Sequence, residues 1–498
     1  MKTTKRIISV LLVLVLITSI CSSAFAEEEK PLRYLAIGDS TSNGYLSDEY
    51  KYQGMRGVNC GKNPYIYPNL MGQYLREKLD REVEVECILP EGIRAHDLRA
   101  VLDPDFVGDD YCMRHIKGWY SRYGGSYEST HKTFCDAIEN ADIMSIDVCM
   151  SSLGNYCLDR AKCAIGMGDG TDYDKVYGSD LLSSYLADGK YGAIVKAVTG
   201  LRSKAVSMLK SAGIPADAVT KVLDAYEYSA GTLMINLTEC IERIYELNDD
   251  IELIVMSPFT TNCYDITLAF GGVSISIGAI MHLYMCVVYD YLITLEPNRD
   301  RYKLADMYHT FLSCYDNAIA NGEWDRYTYV TEEVRKLLLD RGVPVAKDIP
   351  EQDEYFRNTA LKNFGKALAD TEFALTLAPF ELIKMLIDGD EIANSLVKSA
   401  ADDYDNATPT AQLALKLVYA GNILASHPDY AGHQQKFEAM KKVYEKQYTA
   451  KYTYLTSTQD TIYSFLSTVM NGDSVLGFIK NLTKISRLGV FSPRLFIK

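Results

Sequence analysis

The stretch Tyr34-Leu35-Ala36-Ile37-Gly38-Asp39-Ser40-Thr41-Ser42-Asn43-Gly44 decides the fold. Residues 34–37 are apolar without polar alternation, the pattern of a strand buried on both faces. Gly38 ends the run, and a serine bracketed by glycines follows at once. Glycine lets the backbone turn tightly and admits close approach of another group. In open α/β sheets the residues just past the carboxyl ends of strands line the ligand crevice. The Ser40 hydroxyl is therefore predicted at the functional edge of a sheet. On this stretch alone two chemistries compete: a nucleophilic serine, and a phosphate-cradling loop of the kind a flavodoxin-like electron carrier uses.

Outward from this point, further apolar runs lie at 83–89, 143–150, 251–256 and 302–307. Helical spacing lies between them, as at 67–79, where Leu70, Tyr74, Leu75 and Leu79 share a face. Strands alternating with helices predict a parallel sheet with helices on both faces. Two segments exceed what such crossovers need. The first, at about 158–249, reads as helices near 191–212 and 216–247. The second, at about 317–420, reads as a helix over 355–387 broken near Pro379 and another over 409–421. Both are expected as a helical cap over the sheet. Asp265 and Asp290 bracket a stretch without charged residues. Gly271, Gly272, Ser274, Ser276, Gly278 and His282 interrupt it and no basic cluster flanks it, so a buried helix with a Gly-rich lead-in is predicted rather than a membrane span.

The first residues speak to compartment. Lys2, Lys5 and Arg6 precede the apolar run 7–20, and Ala24-Phe25-Ala26 supplies small residues where a signal peptidase reads them. This predicts a secretory signal over residues 1–26. The run is short for a ~20-residue membrane span, and Ile20 stands where lipidation at Cys21 needs a small residue. The chain carries a formal net charge of −15 at pH 7, and loss of the signal's basic residues makes the remainder more acidic still. That charge disfavours nucleic acid and anionic lipid surfaces as partners. The hydrophobic fraction of 48% suffices for a large core. Of 12 cysteines, Cys21 leaves with the signal, and Cys149 and Cys286 sit in apolar runs. Few or no disulfides are expected, and no Cys/His spacing fits zinc. Asp169, Asp172 and Asp174 crowd a Gly-rich loop, but their spacing is not that of a calcium loop and a solvated turn is expected.

A second polar motif breaks the tie left by the first. His427-Pro428-Asp429-Tyr430-Ala431-Gly432-His433 precedes a helix predicted over 434–447. A flavin loop has no use for it, whereas a serine nucleophile needs a base within hydrogen-bond reach. With Gly38–Gly44 and His427–His433, the chain resembles the SGNH (GDSL-type) hydrolase superfamily of esterases, lipases, thioesterases and carbohydrate deacetylases. Residues 38–44 match its first block, GDS-x-(T/S)-x-G. His427-Pro428 and Gly432-His433 match its last. Pro90-Glu91-Gly92-Ile93 and Leu153-Gly154-Asn155-Tyr156 stand where the second and third blocks belong. The resemblance covers about half of the chain beyond the signal.

The resemblance implies a three-layer α/β/α sandwich with a five-stranded parallel flavodoxin-like sheet and large helical insertions. It implies one hydrolase domain over 31–447, followed by a helical extension at 448–498. It implies Ser40 as nucleophile and His427 as base, with the Ser40 and Gly92 amides and the Asn155 side chain as oxyanion hole, and no metal or cofactor. The expected activity is a secreted esterase acting on lipid or carbohydrate acyl esters, with no nucleic-acid partner and no integral membrane span. Two departures stand out. The family's third block reads Gly-x-Asn-Asp, whereas Gly154 and Asn155 are adjacent. The family's triad Asp position, three before the histidine, is Leu424. A Ser–His dyad is therefore expected, with a main-chain carbonyl near Ala425 as the orienting group. A catalytically weak binding protein is the alternative that the missing Asp suggests.

Overall fold

The computed structural model describes residues 30–44, 63–155, 171–172, 176, 216–259, 267–270, 273–294, 296–311, 313–314, 390–412, 414–415, 427–428 and 430–446. The predicted signal, the helices predicted at 191–212 and 355–387 and the extension at 448–498 lie outside these residues, as do Asp169 and Asp174.

The elements are β1 (Leu32–Gly38), α1 (Tyr67–Leu79), β2 (Val83–Ile88), α2 (Ala95–Leu102), α3 (Asp110–Trp119), α4 (Tyr127–Glu139), β3 (Ile143–Asp147), α5 (Ala216–Leu247), β4 (Glu252–Met256), β5 (Thr267–Phe270), β6 (Val273–Ser276), α6 (Ile277–Thr294), β7 (Lys303–Ala305), α7 (Glu391–Asp402) and α8 (Tyr430–Tyr444). The main sheet runs β2-β1-β3-β4-β7, and all four pairings are parallel. This is the doubly wound order of a three-layer α/β/α sandwich, in which the order reverses between β1 and β3. The apolar runs become strands because helices shield both of their faces. All five residues of β3 are buried, and of β1 only Arg33 is exposed. The edge strand β2 has exposed Glu84 and Glu86 instead.

The apolar pattern and the observed elements part in two notable places. The run at 143–150 leaves the sheet after Asp147 and passes into a π-helical turn, Ser151–Asn155. The uncharged stretch between Asp265 and Asp290 forms the hairpin β5–β6 and then α6. Among the described residues no helix is long and apolar enough to cross a membrane.

Helix α5, the latter half of the first long segment, packs against α2, α4 and α6 as the element leading into β4. Helices α1 and α8 pack on each other, with α1 also on β2 and α8 on β7. Helix α8 buries Phe437, Met440 and Val443 along one stripe, each worth about 1.5–3 kcal/mol when removed from water. The same stripe holds His433 and Lys436, both fully buried. The His433 Nδ1 accepts from the Tyr67 N–H at 3.4 Å, which satisfies one donor at the start of α1 and ties the two helices together. Cys112, Cys135, Cys149, Cys240 and Cys286 are free thiols, and these five are buried, as are Cys87 and Cys314.

Candidate active site

Strand β1 delivers the serine turn, and each residue of that turn has a structural reason. A side chain at Gly38 would place its Cβ 2.4 Å from Ser42 Oγ and 3.2 Å from the Asp147 carbonyl. Only glycine fits there. The buried Asp39 then folds the turn around its own carboxylate. Its Oδ1 accepts from the Thr41 N–H at 2.7 Å. Its Oδ2 accepts from the Ser151 N–H at 3.0 Å and from the Ser151 hydroxyl. Burial, then the neighbouring Asp147, push this carboxyl up, while Lys436 and the Ser151 and Thr41 hydrogen bonds pull it down. The Ser42 N–H closes the turn on the Asp39 carbonyl at 3.0 Å. Asn43 Nδ2 reaches the Leu89 carbonyl at 3.3 Å, joining this turn to the loop after β2.

The turn aims Ser40 at His427. Ser40 Oγ lies 2.8 Å from His427 Nε2, within proton-transfer reach, although the two residues come from opposite ends of the fold. His427 as a whole is partly buried, but its Nδ1 is shielded from solvent. That desolvation, with the Lys436 ammonium adding to it, pulls the imidazole down to about 4. The ring is therefore neutral at pH 7, the form a general base requires. Leu424 and Ala425 lie outside the described residues.

A buried charge network underlies this pair. Lys436 Nζ donates to the Thr41 carbonyl and the Thr41 Oγ1, each at 2.9 Å. It also lies 2.6 Å from Asp147 Oδ2, the oxygen to which Ser42 Oγ donates at 2.6 Å. The Phe259 ring centroid is 4.5 Å from the ammonium, a cation–π distance. The amino-acid sequence held faint marks of this network. Asp147 is the sole charge within the apolar run 143–150. Lys436 lies three residues after His433 and one before Phe437, on the apolar face of α8. Neither mark names its partner.

Of the other predicted residues, Gly92 stands at φ +72° in a turn closed by the Ile93 N–H on the Pro90 carbonyl at 3.3 Å. Positive φ at the third position is that of a type II turn, which favours glycine. Asn155 ends the turn Ser151–Asn155, and its side chain is outside what the structure describes. Among the described residues no cluster of His, Cys, Asp or Glu is arranged to hold a metal.

No family model and no curated protein matches the sequence. Among solved structures, an extracellular lipase from Streptomyces rimosus aligns with a TM-score of 0.28 and 11% identity, over 60% of this chain and 89% of that one.

Proposed function

We propose that the chain is a secreted serine hydrolase that cleaves acyl esters through Ser40 and His427. The observation that supports this most is the 2.8 Å approach of Ser40 Oγ to His427 Nε2, with the imidazole held neutral. In this reading Nε2 takes the Ser40 proton as Oγ attacks the ester carbonyl. The negative charge moves to the carbonyl oxygen, where the Ser40 and Gly92 amides and the Asn155 side chain donate to it. Each such donor is worth ~3 kcal/mol in the transition state. Collapse expels the alcohol oxygen, which takes the proton from His427. Water then repeats the sequence on the acyl-enzyme, with His427 again as base, releasing the acid and restoring Ser40. The chemistry is complete without a cofactor. Lipid and carbohydrate esters both suit an exported hydrolase.

A fluorophosphonate probe and 4-nitrophenyl acetate turnover test the reading. Wild type labels and turns over, whereas Ser40→Ala and His427→Ala do neither and keep the melting temperature within a few degrees. Wild-type protein that resists the probe and turns over none of a panel of nitrophenyl esters and acetylated xylan supports the noncatalytic alternative. The absence of a triad Asp at Leu424 is the one feature that favours that alternative.

A further inference from the structure

An acid–histidine pair lies against the loop after β2, apart from Ser40 and His427. His115, on α3, points its Nε2 at the Glu91 carbonyl at 3.1 Å and its Nδ1 at Asp97 Oδ2 at 3.0 Å. Both ring nitrogens thus face oxygen acceptors.

The pair is built to stay in place. Asp97 is fully buried at the start of α2. The Arg94 guanidinium grips it through Nε at 2.8 Å and Nη2 at 2.5 Å, and the Arg94 N–H adds a third bond at 3.0 Å. Burial pushes the Asp97 carboxyl up, but Arg94 and His115 outweigh it and hold the group well below the usual carboxylate range. Trp119 meets the His115 ring edge-on, with ring centroids 4.7 Å apart. Glu91 is held from its side chain as well, by Arg122 Nη1 at 2.7 Å.

The Glu91 carbonyl and the Gly92 N–H belong to one planar, trans peptide, so they point in opposite directions. A donor that fixes the carbonyl therefore fixes where the N–H aims. It also polarises the peptide and strengthens that N–H as a donor, by about 10–30%. In a type II turn this central peptide projects from the plane of the turn. Among the described residues, no main-chain carbonyl accepts a hydrogen bond from the Gly92 N–H. We infer that His115, anchored by Asp97, is a positioning residue for ester cleavage, holding the Glu91–Gly92 peptide so that the Gly92 N–H meets the developing oxyanion. The inference rests on the proposed serine-hydrolase reading, in which Gly92 is an oxyanion donor. Here the acid–histidine pair serves the electrophilic side of the reaction, where the familiar pair serves the base.

The test uses the full chain, 4-nitrophenyl acetate and phenylboronic acid, whose serine adduct carries an anionic oxygen. His115→Phe keeps the ring beside Trp119 and removes both ring nitrogens. His115→Gln restores one. His115→Phe is expected to lower kcat about 10- to 100-fold, less than the ~10²–10³-fold of deleting a donor outright. KM should hardly change, and phenylboronate inhibition should weaken by a similar factor, because the lost interaction belongs to the transition state. His115→Gln should recover part of both. Unchanged kcat and unchanged boronate inhibition in a folded His115→Phe protein overturn the inference. So does a rise in KM alone, or failure of both variants to fold, which makes the residue purely structural. Wild type that neither labels with fluorophosphonate nor turns over marks a different failure, that of the serine-hydrolase reading itself.

Discussion

The Lys436 ammonium lies 2.6 Å from the Asp147 carboxylate, and neither side chain reaches solvent. The pair joins helix α8 to the end of β3 and, through Thr41 and Ser42, to the turn that carries Ser40. Desolvating two charges costs as much as their attraction returns, so the pair is not by itself a source of stability. Its role is to fix relative position. Breaking it is another matter, because a lone buried charge remains. Lys436→Met should lower the unfolding free energy by about 3–5 kcal/mol in urea titration. Adding Asp147→Leu should recover much of that loss. A single-variant loss below about 1 kcal/mol would contradict the buried pair.

The pH profile follows from His427. As the proposed base it works in its neutral form, and the folded imidazole takes a proton only near pH 4, against ~6.5 for a free one. The acid limb of kcat/KM should therefore lie near 4, leaving activity intact at mildly acidic pH. Because the Lys436 charge contributes to the depression, Lys436→Met should move the limb upward. A wild-type limb at pH 6–7 would show that the imidazole is not shielded.

Stability has its own sign. Unfolded histidines bind protons from ~6.5 downward, while folded His427 and His96 wait until about 4. For His96 burial is the main cause, with Arg94 and Arg99 adding to it and Asp109 and Asp97 opposing. The unfolded chain thus binds more protons between these values. The histidine contribution is complete above ~6.5 and is lost as pH falls toward 4. The melting temperature at pH 5 should lie below that at pH 7. Carboxylates such as Asp97, whose folded value is depressed, extend the loss to lower pH. An equal or higher melting temperature at pH 5 would contradict the assignment.

Gly38→Ala tests the serine turn. The new methyl would meet Ser42 Oγ at 2.4 Å and the Asp147 carbonyl at 3.2 Å. Ser42 must move, losing its bond to Asp147, and the cost should be about 1–3 kcal/mol of stability. Esterase activity should fall with it, since Ser40 is two residues away. Wild-type melting and turnover in this variant would mean that the turn is looser than described.

Asn155→Ala should lower kcat by about two to three orders of magnitude, with a smaller effect on KM, as expected of an oxyanion donor. An untouched kcat would remove Asn155 from the site and leave the adjacent Gly154–Asn155 pair without a role.

The chain disclosed its sheet more readily than its site. Buried parallel strands need uninterrupted apolar residues, so 83–89 and 251–256 translate almost unchanged into Val83–Ile88 and Glu252–Met256. Helix Tyr67–Leu79 has its predicted bounds, with Pro68 at its start and Asp80 in a left-handed cap. The run at 143–150 misled because apolar content persists beyond Asp147, where the backbone coils to bring Ser151 to Asp39. Local periodicity cannot register a turn dictated by a remote carboxylate. The same limit hid Lys436 and His115. A lysine on an apolar helix face and a histidine four residues before Trp119 acquire meaning only when the fold supplies Asp147 and Glu91. The approach of Ser40 to His427 was legible because each sits in a compact motif with its own glycine or proline.

The Lys436–Asp147 pair joins residues 289 positions apart, and that distance has a consequence for biogenesis. A nascent chain that has not yet emerged past α8 holds Asp147 with no cation to meet it. Such a chain has every reason to keep the sheet's crevice open to water and to proteases. The late-arriving helix thus acts as a check on synthesis, since the turn that carries Ser40 meets its Lys436 contacts only once α8 has emerged. Pulse proteolysis of ribosome-bound chains stalled before and after α8 would reveal it as a step in protection.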